Sequence, residues 1–160
     1  MPANRVTIYL PDHVRAALGP CGEDSGVSLS GRVATIVLRY QEAVRRSRPR
    51  LSRAEWMLIL DALNGVGRLA EERPEAAVAG LALEVYDHLR LNDAARKWSL
   101  TPAQATGLVD RLRALSYVEA LSIVEAAEQF WTHHELETDA AIAAAGIVPS
   151  DPPPAKTRKR

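Results

Sequence analysis

The chain has 160 residues, of which 47% are hydrophobic and 25% are charged, and its formal net charge is zero. This length can bury a real core and divide into at most two small domains, as expected of a soluble globular protein. The sequence has no run of about 18 apolar residues and no charged-then-apolar leader, so we expect neither a membrane-spanning helix nor classical secretion. The single cysteine, Cys21, cannot form an internal disulfide, which favours a cytoplasmic location and a structural role over a reactive one.

Charge is distributed unevenly along the chain. Residues 1–50 hold eight arginines and four acidic residues, whereas residues 51–145 hold eight basic and fifteen acidic residues. Residues 146–160 are again basic, with four basic residues and one acidic residue. The pattern favours an N-terminal module that meets phosphates and a second module that does not.

Residues 5–10 alternate strictly between polar and apolar side chains, which predicts a short β-strand. The strand would have an apolar face and a polar face, formed respectively by Val6, Ile8, Leu10 and by Arg5, Thr7, Tyr9. No second strand of comparable quality follows, so the unpaired backbone groups predict pairing with a second copy of the chain. The sequence therefore predicts a homodimer joined by an intermolecular two-stranded antiparallel ribbon.

The first helix after the strand is predicted to be short. It opens at Pro11 and extends over 12–18, or continues with a kink to about residue 24. The alternatives arise because Gly19-Pro20 interrupts regular helix geometry.

The second helix is the better defined of the two. Gly26 ends the preceding element, and Ser28 and Ser30 are capping residue types just before an amphipathic run that continues to about Arg46. The apolar positions of this run are Val33, Ile36, Val37 and Tyr40.

This order of strand, helix and helix, with Gly26 to Ser30 between the helices, resembles the ribbon-helix-helix DNA-binding family of Arc, MetJ and CopG-type repressors. The resemblance covers about residues 3–46. In that family two chains pair their strands into a ribbon that lies in the DNA major groove, and four helices form the core behind it. The resemblance implies a dimer core of Val6, Ile8, Leu10, Val14, Leu18, Val33, Ile36, Val37 and Tyr40.

The resemblance also implies two kinds of DNA contact. The positions that read bases correspond to Arg5, Thr7 and Tyr9, of which Arg5 could donate two hydrogen bonds to one guanine, a contact that discriminates by about 1–3 kcal/mol. The positions that contact phosphate correspond to Val27, Ser28, Leu29, Ser30 and Arg32. Tyr9 is bulkier than the residue common at its position in the family. The alternative is an edge strand with its polar face in water and serines that only cap the helix.

The rest of the chain predicts a linker at 48–51, a helical domain at 52–146 and a disordered basic tail at 147–160. We expect about five helices in this domain, and start signals for four of them occur at Ser52–Glu55, Pro74, Thr101–Gln104 and Ser116–Glu119. The tail either contacts DNA phosphates without specificity or only keeps the protein soluble. The predicted fold class is mainly α: a ribbon-helix-helix domain at 1–47 followed by this all-α domain.

Three groups of side chains in the helical domain could bind a ligand, but a structural role is favoured for each. Metal-ligand types follow one another at His133, His134 and Glu135, yet successive helix positions point about 100° apart. Large aromatic residues could line a pocket but more often form the core; they are Trp56, Trp98, Trp131, Tyr86 and Tyr117. A solvated, mostly acidic face is predicted for Glu84, Asp87, His88 and Asp93. We expect no metal, no cofactor and no catalytic site.

The sequence as a whole predicts a cytoplasmic, sequence-specific DNA-binding transcriptional regulator, most simply a repressor, and not an enzyme. The expected partners are double-stranded DNA and a second copy of the chain. For the helical domain the preferred role is to extend the dimer into a tetramer through the helices over 74–91 and 116–136, and the alternative is to sense a small molecule. A regulatory protein or toxin is a further candidate partner, and no membrane partner is expected. Two alternatives use the same module: an antitoxin, or an accessory protein for plasmid maintenance or transfer. A third alternative is a protein-interaction adaptor that binds no DNA.

Overall fold

The computed structural model describes residues 11–18, 26, 28–64 and 73–151. The regular structure in these ranges consists of α1 Asp12–Ala17, α2 Leu29–Arg46, α3 Arg53–Ala62, α4 Pro74–Leu91, α5 Ala94–Lys97, α6 Pro102–Arg113, α7 Tyr117–Thr132 and α8 Thr138–Ala144. The chain divides into two compact units, Met1–Ala43 and Val44–Arg160, and the division falls inside α2. Among the helices described, none combines the length and apolar character needed to cross a membrane.

The predicted fold class is corrected by these helices. The prediction combined helices with an intermolecular two-stranded ribbon, whereas the described ranges are all-helical and contain no strand and no sheet. The residues predicted to form the strand, 5–10, lie outside the described ranges. A two-stranded ribbon needs hydrogen-bonding partners for both of its strands, and one copy of this chain offers no second strand in the part described.

In the first unit, α1 spans Asp12–Ala17, and residues 19–25, over which the longer predicted alternative would continue, lie outside the described ranges. The helix begins after Pro11, whose backbone is extended, and Leu18 caps its C-terminus. The Leu18 N–H donates to the Val14 carbonyl oxygen at 3.1 Å. A single short helix of this kind depends on contacts with other elements for its stability.

The start of α2 confirms the predicted cap. The Ser28 hydroxyl oxygen accepts a hydrogen bond from the Gly31 N–H at 3.0 Å, which satisfies one of the amides that the first turn leaves unpaired. Gly26, two residues earlier, has a φ of +64°, a left-handed conformation that glycine adopts without a side-chain clash. The helix then continues to Arg46, as predicted.

The second unit is organised around α4, which packs against α3, α5, α6 and α7. The helix α7 in turn packs against α3 and α8. The core between these helices contains side chains with 0–1% exposure, including Trp56, Leu58, Ile59, Leu60, Leu81, Val85, Leu108 and Ile123. Burial of this apolar surface is the main stabilising contribution to the unit.

The three predicted capping boxes are present. At the start of α3, the Ser52 hydroxyl accepts the Glu55 N–H at 3.2 Å and the Glu55 carboxylate accepts the Ser52 N–H at 2.8 Å. The same reciprocal pairs start α6 and α7, at Thr101–Gln104 and Ser116–Glu119. Pro74 occupies the start of α4, also as predicted. The helices α5 and α8 were not predicted, because they are too short to show a clear apolar period.

Residues 48–51, predicted to be a linker, lie against the second unit. An Arg48 guanidinium nitrogen donates to the carbonyl oxygens of Gly146 and Ala145 at 2.7 and 3.3 Å. Leu51 is only 2% exposed and belongs to the core. These residues are therefore part of the helical unit.

The predicted disordered tail is corrected over residues 147–151. The side chain of Ile147 is buried, and the Ser150 N–H donates to the Leu51 carbonyl oxygen at 2.9 Å. The Asp151 carboxylate accepts the Arg53 N–H at 2.6 Å. One buried isoleucine and these two hydrogen bonds explain why the segment packs on the unit. Residues 152–160 lie outside the described ranges.

Candidate nucleic-acid interface and candidate pocket

The predicted DNA interface is only partly described by the structure. Seven of the predicted interface residues lie outside the described ranges. They are the base-reading residues Arg5, Thr7 and Tyr9, the dimer-core residues Val6, Ile8 and Leu10, and the phosphate-contacting residue Val27. The described part comprises the first turn of α2 and the apolar side of the same helix.

The first turn of α2 carries four of the predicted phosphate-contacting residues. Ser28 and Ser30 are exposed, whereas Leu29 and Arg32 are half-buried. This turn contains no acidic residue, so its own side chains add no negative charge at the positive end of the helix dipole. The turn is chemically suited to an anion, although the Gly31 N–H is already bonded to the Ser28 hydroxyl.

The apolar side of α2 is exposed to an unusual degree. The side chains of Ile36, Val37 and Tyr40 are 47%, 47% and 48% exposed. With Val33, which is half-buried, they form one helix face at the spacing of an amphipathic helix, and we call these four residues the α2 apolar face. The other two predicted core residues of this unit, Val14 and Leu18, are half-buried. Large apolar side chains on one face, half exposed in a single copy, indicate a surface that binds another molecule.

The second unit contains a polar cluster that the sequence analysis did not identify. One carboxylate oxygen of Asp61, at the end of α3, accepts hydrogen bonds from Lys97 Nζ at 2.7 Å and from the Trp98 indole N–H at 3.1 Å. The His88 Nε2 atom, on α4, lies 3.0 Å from the same oxygen. These four residues, the Asp61 cluster, connect α3, α4 and the end of α5.

The contacts of Asp61 set its charge state. His88 is held between two side chains, with Nδ1 3.0 Å from the Asn92 side-chain nitrogen and Nε2 3.0 Å from the Asp61 carboxylate. Partial burial acts to raise the pKa of Asp61, but the hydrogen bonds from Lys97, His88 and Trp98 and the Lys97 charge outweigh it. The pKa of Asp61 therefore lies below its ordinary value, and the carboxylate is ionised at neutral pH.

Two cavities border the Asp61 cluster. One, of about 270 Å³, is lined by Asp61, Lys97 and Trp98 together with Phe130, Trp131 and His134. The other, of about 640 Å³, shares Met57, Lys97, Trp98 and Thr138 with it. Both are lined by a mixture of apolar and charged side chains.

The aromatic residues have three different environments. Trp56 is a core residue with 1% exposure, as predicted, whereas Trp98 and Trp131 are half-buried and line the smaller cavity. Tyr86 and Tyr117 are 41% and 48% exposed. Trp98 and Trp131 also pack against the core. The core prediction is therefore correct for the three tryptophans and wrong for the two exposed tyrosines.

The members of the two predicted polar groups, Glu84 to Asp93 and His133 to Glu135, differ in their exposure. Glu84 and Asp93 are exposed, as predicted, but Asp87 and His88 are half-buried and His88 belongs to the Asp61 cluster. His134 Nδ1 lies 3.1 Å from the Trp131 carbonyl oxygen. Within the ranges that the structure describes, no group of three His, Cys, Asp or Glu side chains could hold a metal ion.

The Asp61 cluster has only a weak signal in the sequence. Its members are 27–37 residues from Asp61, so their proximity depends on the packing of α3 on α4 and on α5. The available signal was one acidic residue, Asp61, within the apolar run that forms α3.

Comparison with known proteins provides no relative for either unit. No protein-family model matches the chain, and neither a curated protein nor a solved structure matches it. Function is therefore inferred from the residues and contacts described above.

Proposed function

We propose that the chain is a cytoplasmic DNA-binding transcriptional regulator that acts as a homodimer through its first unit. The observation that carries the proposal is the half-exposed α2 apolar face, on the helix that resembles the second helix of the ribbon-helix-helix family. A second copy of the same face would cover it. Covering the exposed half of each large side chain is worth about 1 kcal/mol.

Charge supports DNA as the partner of this dimer. The first 50 residues carry eight arginines and four acidic residues, and dimerisation brings two such segments together. The first turn of α2 adds exposed Ser28 and Ser30 without a nearby acid in the same turn. Arg5, Thr7 and Tyr9 are the proposed base-reading residues, and the first turn of α2 with Arg32 is the proposed phosphate contact.

A titration with duplex DNA tests this function directly. Selection from random duplexes is expected to enrich one sequence, and affinity for it is expected to fall steeply with salt. Arg5→Ala should remove the preference between sequences, whereas Arg32→Ala should weaken binding to all duplexes and reduce the salt slope by about one. Arg96→Ala, an exposed arginine of the second unit, is the matched control and should bind as the wild type does.

The result that would overturn the DNA function is an absence of binding at low salt. In that case the α2 apolar face would still need a partner, and a protein-interaction adaptor would replace the regulator as the best proposal. Copurification of a second, different chain on this face would favour the antitoxin alternative.

The dimer has its own test on α2. Ile36→Glu places a charge on the α2 apolar face and should reduce both self-association and DNA affinity, measured by sedimentation and by titration. Leu38→Glu is the matched control, because Leu38 is 65% exposed on the same helix but lies outside that face. Equal effects of the two substitutions would show that the face is not the dimer interface.

A further inference from the structure

One side of α4 is exposed along the helix, and its last two residues, Tyr86 and Arg90, also line a groove against α6. Its residues are separated by successive intervals of three, four, three and four positions, and they are Ala76, Ala79, Leu83, Tyr86 and Arg90. All five are exposed, Leu83 by 60% and Tyr86 by 41%. The opposite side of α4 is buried through Ala77, Leu81 and Val85. The exposed set, which we call the α4 stripe, has the spacing at which two helices pack side by side.

The size of the side chains changes along the α4 stripe. Its N-terminal half carries the small residues Ala76 and Ala79, and its C-terminal half carries the large residues Leu83 and Tyr86. If two copies pair in an antiparallel orientation, Leu83 lies opposite Ala79 of the second copy and Tyr86 lies opposite Ala76. A parallel pair would place large residues together and leave space between the alanines. Close packing therefore favours the antiparallel pair, which also has closed two-fold symmetry.

Charge along α4 favours the same orientation. Glu75 is in the first turn of the helix and Arg90 is in the last turn, and both side chains are exposed. An antiparallel pair brings Arg90 of each copy towards Glu75 of the other, whereas a parallel pair would bring like charges together. Arg113, whose guanidinium lies 5.8 Å from the centre of the Tyr86 ring, packs beside the large half of the stripe and pairs with Asp110.

We propose that the α4 stripe is a self-association surface that binds the α4 stripe of a second copy in an antiparallel orientation. It is separate from the α2 apolar face, so the two surfaces together would assemble dimers into a tetramer. Of the two helices expected to supply such a contact, α7 directs eight residues into the core. The stripe on α4 is therefore the better surface.

The first experiment compares two substitutions on α4 by sedimentation of the full chain over a range of concentrations. Leu83→Glu should weaken this association by about tenfold or more, because it places a charge at the centre of an apolar contact. Leu91→Glu is the matched control, since Leu91 is 70% exposed at the end of the same helix but lies outside the stripe. Circular dichroism of both variants checks that the helices remain folded.

The effect of Leu83→Glu can be distinguished from the absence of the α2 dimer by the mass of the assembly. If both interfaces exist, Leu83→Glu converts a tetramer into a dimer, and its combination with Ile36→Glu yields a monomer. If only the α4 stripe associates, Leu83→Glu alone yields a monomer. An unchanged mass for Leu83→Glu, or a wild-type chain that stays monomeric at the highest concentration, would overturn the proposal.

Charge reversal identifies the partner as a second copy. Glu75→Arg and Arg90→Glu should each weaken association, and the double variant should recover most of the wild-type strength because the pair is restored with reversed signs. A partner of different sequence would not be recovered by the double variant. A double variant as weak as the single ones therefore contradicts self-pairing.

Disulfide trapping tests the orientation. In a Cys21→Ser background, equal amounts of Ala79→Cys and Leu83→Cys chains are mixed and oxidised. The antiparallel pair predicts a mixed disulfide between the two variants, because these positions lie opposite each other. Disulfides that join Leu83→Cys chains to themselves, or no mixed product, would exclude the proposed orientation.

Discussion

Asp61 connects three parts of the second unit, namely α3, α4 and the end of α5. One of its carboxylate oxygens accepts hydrogen bonds from Lys97 and Trp98 and lies within hydrogen-bonding distance of His88. The side chain is 19% exposed, so water can replace only part of what these contacts supply. The carboxylate therefore stabilises the packing of α3 on α4 and on the end of α5.

Asp61→Asn is predicted to lower the free energy of unfolding by about 1–2 kcal/mol at neutral pH, because the amide carries no charge for Lys97. Chemical denaturation of both proteins measures the difference. Asp110→Asn is a suitable control, since the Asp110 carboxylate is 66% exposed and lies 3.5 Å from Arg113 in a surface pair. A loss as large in Asp110→Asn would refute a special role for the Asp61 cluster.

The contribution of Asp61 should also depend on pH. Its pKa is lower in the folded chain than in the unfolded chain, so the ionised carboxylate stabilises the fold above the ordinary aspartate pKa of about 3.9. This stabilisation is lost as the pH falls through the lower, folded-state pKa. The difference between wild type and Asp61→Asn should accordingly be full at pH 7 and decrease in strongly acidic solution.

The features predicted correctly at the residue scale are those that depend on neighbours along the chain. The Ser52, Thr101 and Ser116 caps depend on a partner three residues away, and all three were identified from the sequence. Asp61 depends on partners that only tertiary packing brings near. A residue whose role depends on distant partners carries little trace of it in its own neighbourhood.

At the scale of the element, the capping boxes define where the helices of the second unit begin. Ser52→Ala removes the hydroxyl that accepts the Glu55 N–H at the start of α3 and should cost about 1 kcal/mol of stability. Thermal or chemical unfolding measures this cost. Ser150→Ala is the control, because Ser150 contributes a backbone N–H bond that the substitution retains. Equal stability of the two variants would show that the cap is dispensable.

The helices differed in how well their bounds could be predicted from the sequence. Long helices with a cap and an apolar period, such as α2 and α7, were predicted close to their observed bounds. The four-residue α5 lies between two left-handed residues, Asp93 and Ser99, with φ values of 47° and 57°. Neither residue is a glycine, so the sequence does not predict these left-handed conformations. The surrounding contacts must stabilise them. The predicted ribbon is not seen: the described ranges contain no strand, and residues 5–10 lie outside them.

At the scale of the whole molecule, zero net charge conceals two parts of opposite character. The basic first 50 residues suit a polyanion, and the acidic segment that follows does not. The exposed apolar surfaces are likewise divided, with the α2 apolar face in one part and the α4 stripe in the other. On the proposals above, one part binds DNA and the other joins dimers.

This division predicts different behaviour on short and long DNA. A duplex with two adjacent binding sites should be bound about tenfold or more tightly than a duplex with one site, since the second contact is made within one assembly. Leu83→Glu should abolish that advantage while leaving affinity for the single site unchanged. Titration of both duplexes with this variant and with Leu91→Glu provides the measurement. Retention of the advantage in Leu83→Glu would assign it to another surface.

Residues 48–51 and 146–150 of the second unit meet at one place. The Leu51 carbonyl oxygen accepts the Ser150 N–H at 2.9 Å, and Arg48 bonds to the Gly146 carbonyl oxygen at 2.7 Å. A unit whose entry and exit are adjacent can be grafted into a surface loop of another protein, or circularly permuted by a short link between its ends, with little disturbance of its core. Circular permutation through a short link between these two segments is therefore expected to preserve the core of the helical unit.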